Sequence, residues 1–237
     1  MGKKKLDGTV PRYDRHILLC YQNSEAWPPW FHKSKLDTFL KLFINHVSHF
    51  EFTKFWQTMV TICESIEGTG YDEGDVLIFP DMIKYKRLKD SYIGEFIDDV
   101  LVKDVPWASG VQEKLTGCHI FVCAHGSLHE IYRLCAPILI EKLNEVVEAR
   151  GLQGQVYVSG CSDVYGPEYA PNLIVYRSDS EGRVTGHWYG HVTPRDVPYL
   201  LVYHFGKGEV ILHKLRFVIL CLGLCSLHFT FCLLSIW

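Results

Sequence analysis

Short apolar runs divided by turn residues dominate the first hundred positions. Arg15-His16-Ile17-Leu18-Leu19-Cys20 reads as a buried strand with polar flanks. Met59-Val60-Thr61-Ile62-Cys63 reads as a second strand, and Asp75-Val76-Leu77-Ile78-Phe79 as a third, stopped by Pro80. Between the first two, Leu36 to Phe50 sets apolar residues at 36, 39, 40, 42, 43, 44 and 47, close to helical spacing. Ser91 to Val102 predicts a helix capped by Ser91. The glycines from Gly68 to Gly74 precede a strand instead of following one, so they make a turn and not a nucleotide-binding loop.

The next hundred residues repeat the style. His119 to Cys123 is a strand that ends at His125-Gly126-Ser127. Ala136 to Ala149 predicts a long helix with Pro137 near its start and Gly151 closing it. Val156-Tyr157-Val158, Leu173 to Tyr176 and His187-Trp188-Tyr189 predict strands, and Asp196 to Phe205 a last helix. A β-α-β unit followed by two strands and a helix is the element order of a thioredoxin-like domain. No internal repeat is apparent.

Two stretches carry the chemistry. The first, F-V-C-A-H-G-S-L-H-E-I-Y-R-L-C-A-P, runs from Phe121 to Pro137. The second, V-S-G-C-S-D-V-Y-G-P-E-Y-A-P-N, runs from Val158 to Asn172, and G-H-W-Y-G-H-V-T-P follows from Gly186 to Pro194. Together they resemble the sucrase/ferredoxin-like family, the thioredoxin-like 2Fe–2S proteins, from roughly Tyr13 to Leu212. Cys123, His125, Gly126, Ser127, Pro137, Cys161, Ser162, Gly166, Tyr169, Ala170 and Asn172 all fall in the family register.

The resemblance implies an α/β fold of two thioredoxin-like modules, residues 13–107 and 110–212, with mixed sheets flanked by helices. It also implies electron transfer or redox sensing through a 2Fe–2S cluster held by two Cys and two His. Carried onto this chain, the four ligand positions are Cys123, Tyr132, Asp163 and Pro167. Iron in such centres takes thiolates or imidazoles, so Cys123 alone is a suitable donor. The expected function is a degenerate member of this redox family that has lost the cluster and holds no cofactor. The alternative is a non-redox structural or interaction protein, tethered to a membrane by its C-terminal tail.

The residues themselves offer other chemistry. Cys123, Cys135 and Cys161 with Asp163 as an oxygen ligand make one metal set, set against three structural thiols. Cys123, His125, His129 and Cys135 supply four zinc-type donors, though without the paired halves of a known finger; the plainer reading is a loop with two histidines. No C-x-x-C occurs, which removes the local thiol redox motif. Nothing suggests the paired carboxylates of a glycosidase, so no enzyme activity is expected.

Composition changes this picture at three points. A net charge of −3, with Lys3-Lys4-Lys5 the sole basic run, gives no reason to expect nucleic acid, leaving a redox or protein partner of unknown identity. Nine cysteines without a secretory signal in the first thirty residues point to a reducing, cytoplasmic setting. Phe217 to Trp237 is free of formal charge over 21 residues, about 31 Å as a helix and enough to cross a bilayer core. With Lys214 and Arg216 as its cytosolic flank, residues 217–237 are expected to form a hydrophobic helical tail, either a membrane anchor or a segment appended to the family body.

Overall fold

Strand residues with period two sort their side chains between opposite faces, and here both faces are covered. The computed structural model describes residues 6–31, 38–50, 58–65, 67–162, 166–179 and 181–221. The first half contains β1 (Arg15–Cys20), α1 (Thr38–Phe50), β2 (Thr58–Cys63), β3 (Val76–Phe79), β4 (Ile83–Tyr85), α2 (Ile93–Phe96) and β5 (Gln112–Lys114). The second contains β6 (Cys118–Cys123), α3 (Glu130–Ala149), β7 (Val156–Cys161), β8 (Leu173–Ser178), β9 (Val184–Tyr189), α4 (Val197–Tyr199) and β10 (Leu215–Cys221). Wider π-type turns continue α2 over Ile97–Val102 and α4 over Leu200–Lys207.

All ten strands join one mixed sheet, ordered β10-β9-β8-β6-β7-β2-β1-β3-β4-β5. Its halves share one connectivity: β1 lies parallel to β2 and antiparallel to β3, as β6 lies parallel to β7 and antiparallel to β8. The halves meet where Cys63 of β2 pairs with Cys161 of β7. Two backbone bonds flank that pair, Ser162 N–H to Ile62 O at 2.7 Å and Glu64 N–H to Gly160 O at 2.9 Å. The buried Glu64 carboxylate adds two more, accepting from Gly160 N at 2.8 Å and Ser24 N at 3.0 Å. Position 160 must be glycine, because a Cβ there would lie 2.5 Å from Glu64 Oε2.

The sheet folds over at this junction. β3 and β8 stand five strands apart, about 24 Å along a flat sheet. Yet Phe79 of β3 stacks on Tyr176 of β8 with ring centroids 4.2 Å apart. The outward residues Ile17, Leu19, Ile62 and Ile78 pack under α1 and α2. Ile120, Val122, Val158 and Val175 pack under α3 and α4. The inward residues Leu18, Cys20, Leu77, Phe121, Cys123, Ile174 and Trp188 fill a core between the two half-sheets.

That inner core is polar as well as aromatic. Trp188 Nε1 donates to Tyr13 Oη at 2.6 Å, and Tyr13 Oη lies 2.8 Å from Tyr176 Oη. His16 links Tyr176 Oη to Thr61 Oγ1, each at 2.8 Å. Burial alone pushes the His16 imidazole down to about 3, and burial is also the main cause that lowers His119 and His187 to about 4 and His204 to about 3.

Several sequence expectations change. The helix predicted from Ala136 begins at Glu130, because the turn after β6 closes within six residues and leaves Pro137 inside the helix. Ser91 lies within a 3₁₀ turn, Asp90–Tyr92, and caps no helix. The short strands β4 and β5 and the extended ends of β7 to β9 escaped the apolar-run criterion. A repeat is also present: R-H-I-L-L-C in β1 and C-H-I-F-V-C in β6 occupy equivalent strands, matched at His16/His119, Ile17/Ile120 and Cys20/Cys123.

The largest correction concerns the tail. Residues 217–221 are not helical; they belong to β10, which pairs with β9 from Leu215↔Tyr189 to Cys221↔Val184. The sixteen residues that remain, 222–237, lie outside the described residues. Among the described residues no helix is long and apolar enough to cross a membrane.

The neutral core histidines make stability depend on pH. Their folded pKa values lie below the ordinary 6.5, so between about pH 6.5 and 4 the unfolded chain binds more protons. Stability is therefore complete above pH 6.5 and falls as pH drops. The steepest loss is about 1.4 kcal/mol per pH unit for each histidine. Urea midpoints should hold level from pH 7.5 to about 6.5 and decline from there to pH 5; a profile that stays flat to pH 5 would contradict the neutral core.

Candidate functional site

The candidate site lies where β6 and β7 end, and its loops are held by residues distant in sequence. After Cys123 the chain turns sharply, with Gly126 N bonded to Ala124 O and both Leu128 N and His129 N directed to His125 O. His125 turns toward the first half of the chain. Its Nε2–H donates to Pro28 O at 2.9 Å, and its ring stacks on Phe31 at 4.8 Å and meets the edge of Trp27. Ser127 Oγ donates to Trp27 O at 2.7 Å, so the first half of the chain grips this loop twice. His129 precedes α3 with its ring edge-on to Tyr132.

Cys123 and Tyr132 are both fully buried. Asn172 joins them: its carbonyl oxygen accepts from Cys123 N at 3.0 Å, and its Nδ2 donates to Tyr132 Oη at 3.2 Å and to Gly166 O at 3.0 Å. Pro167 opens a short 3₁₀ turn, Pro167–Tyr169, beside them, and Asp163 lies outside the described residues. Cys161 is the register partner of Cys123, and Cys135 packs half-buried against the same core. Among the described residues no three His, Cys, Asp or Glu side chains converge as a metal cage.

The sequence reading missed the centre of this arrangement, Arg216. Its charge and position suggest a cytosolic membrane flank, whereas the side chain is fully buried. The register of β10 against β9 shifts between Leu215 and Phe217, so Arg216 is the bulged residue of the strand. A bulge re-aims a side chain that simple alternation would send elsewhere. Arg216 Nη1 donates to Asn172 Oδ1 at 3.1 Å, Nε to Thr9 Oγ1 at 2.9 Å and Nη2 to Thr9 O at 3.2 Å. Its guanidinium carbon sits 4.0 Å over the Tyr169 ring. Gly190 leaves room for it, since a Cβ there would lie 2.9 Å from Arg216 Cδ. Burial pulls the Arg216 pKa below its ordinary value, opposed by the nearby Cys123, Tyr169 and Tyr132. One side chain thus ties together the second motif, the N-terminal segment and β10, and reaches the first motif through Asn172.

A protein-family model described as sucrase/ferredoxin-like matches residues 6–217. A protein from Clostridium pasteurianum named "Ferredoxin, 2Fe-2S" is 30% identical over 100 residues, covering 39% of this chain and 89% of that protein. The wild-type thioredoxin-like [2Fe-2S] ferredoxin from Aquifex aeolicus is similar at 20% identity, covering 42% of this chain and 96% of that structure, with a TM-score of 0.34. A cysteine-to-serine variant of it matches at 20% identity, 41% and 96% coverage, and a TM-score of 0.33. The family match extends beyond Leu212, where the sequence resemblance was expected to stop, and includes Arg216.

Arg216→Met should destabilise the protein by about 2–4 kcal/mol, because it strands the Asn172 carbonyl and removes the bracket between segments. Arg216→Lys should restore only part of the loss, since an ammonium cannot reproduce the forked contacts. Urea unfolding checks both, and stability unchanged in Arg216→Met would refute the bracket. A chain ending at Leu212 lacks β10 and Arg216 and should fail to give a cooperative unfolding transition.

Proposed function

Because the chain belongs to the sucrase/ferredoxin-like family, we propose that it is a member of this electron-transfer family that has lost the 2Fe–2S cluster and keeps the scaffold. The single observation that carries the reading is Tyr132. It occupies the second thiolate position, is fully buried, and spends its hydroxyl on Asn172. Pro167 has no lone pair to give at the fourth position, and Asp163 at the third is a hard oxygen donor. Cys123 is left as the one soft ligand, and one thiolate does not hold two irons. The residues present do not fit the cluster.

Each half of the sheet is, on this reading, one thioredoxin-like module, a view supported by the connectivity they share. The role that remains is structural or interactive. An exposed apolar stripe on α3, formed by Ile131, Leu134 and Ile138 beside the former cluster loop, supports contact with a protein partner.

Iron analysis and visible absorbance of the purified protein test the proposal. It should be colourless and free of stoichiometric iron; a red-brown protein with about two irons per chain would refute it. The triple restoration Tyr132→Cys, Asp163→His and Pro167→His should recover cluster binding, whereas each single restoration should not. A folded triple variant that reconstitutes no cluster would show that these are not the ligand positions.

A further inference from the structure

Thiols recur along the junction of the half-sheets. Cys20, Cys63, Cys161 and Cys123 end β1, β2, β7 and β6, and each is the register partner of the next. All four belong to the inner core, so four strands place a row of cysteines on one face. Cys20 and Cys63 form a close pair: both are fully buried, and their sulfurs lie 3.4 Å apart. Neighbouring parallel strands run about 4.8 Å apart, within the Cα separation that a disulfide spans. The two residues are 43 positions apart in the chain, which is why no short motif announces them.

We propose that Cys20 and Cys63 form an oxidation site, at which a small two-electron oxidant of the hydrogen peroxide class converts the facing thiols into a cross-strand disulfide. One thiol, deprotonated during local opening of the strand ends, attacks a peroxide oxygen. The O–O bond breaks, leaving a sulfenic acid and hydroxide, and the hydroxide takes up the released proton as water. The second sulfur then displaces the sulfenic oxygen; the S–S bond forms and a second water leaves. Two thiols lose two electrons and two protons, and one peroxide becomes two waters.

Burial sets the rate and geometry sets the consequence. The reactive form is the thiolate, and desolvation, with the neighbouring Cys63 sulfur, holds the Cys20 thiol well above its ordinary pKa, so the closed protein reacts slowly. Cys20 precedes the segment that supplies the Trp27 and Pro28 carbonyls to Ser127 and His125. Cys63 precedes Glu64, whose carboxylate holds Gly160 and Ser24. The cross-link therefore forms at the roots of the two segments that fix the loop after β6. This holds whether or not a cluster is bound there.

The test is a peptide map of full-length protein treated with hydrogen peroxide, denatured in N-ethylmaleimide and digested without reductant. The expected result is one linked pair carrying Cys20 and Cys63, dominant over other links, released by reductant, and formed faster in urea below the unfolding transition. Cys20→Ser should abolish that pair, and the wild-type map stands alone should the variant not fold. Recovery of both cysteines as alkylated thiols, or links confined to Cys123, Cys135 or Cys161, would overturn the proposal. Neither outcome depends on the iron content.

Discussion

Everything in this fold hangs on one narrow contact, the antiparallel junction of β2 and β7. Without it the chain would present two half-sheets, each with an open edge and an uncovered inner face. The junction is short, a single registered pair, so it relies on neighbours. Glu64 accepts backbone N–H groups from both halves, and Gly160 lets the carboxylate come close. A buried carboxylate that receives two N–H donors is compensated for its desolvation, and it specifies the joint in a way apolar packing cannot.

Closing the sheet over that joint creates a core unlike the two beneath the helices. The layer beneath α3 and α4 is mostly aliphatic and the layer beneath α1 and α2 mixes aliphatic residues with Phe, Trp and Tyr, whereas the inner layer sets Tyr and Trp beside four cysteines and His16. Large rings with one polar atom suit a space between two facing sheets: they fill volume and still meet across it through Trp188, Tyr13, Tyr176 and His16. The requirement that these imidazoles stay neutral follows from the same dryness.

In the candidate site, hydrogen bonds join segments that are distant in sequence. A cluster cross-links loops through strong, short bonds to a few ligands. Here Asn172 and Arg216 reach as many segments with weaker, more numerous contacts. Framework residues of the family pattern, Asn172 and Gly166 among them, thus keep structural work, consistent with the proposed loss of the centre itself.

The division between sequence and structure follows from the range of the interactions. Short apolar runs such as Arg15–Cys20 are local signals that placed the central strands, and the motifs between Phe121 and Asn172 placed the family. Three-residue strands such as Ile83–Tyr85 carry too few apolar residues to be read alone. The start of α3 at Glu130, ahead of Pro137, depended on a turn closed by backbone bonds. Three matters were decided by tertiary structure alone: that residues 217–221 are a strand, that Arg216 turns inward, and that Cys20 faces Cys63. A charge-free run is equally apolar in a membrane and in a sheet, and a bulge or a cross-strand neighbour is set by register between segments far apart in the chain. Such register is a property of pairs, which no single stretch of sequence contains.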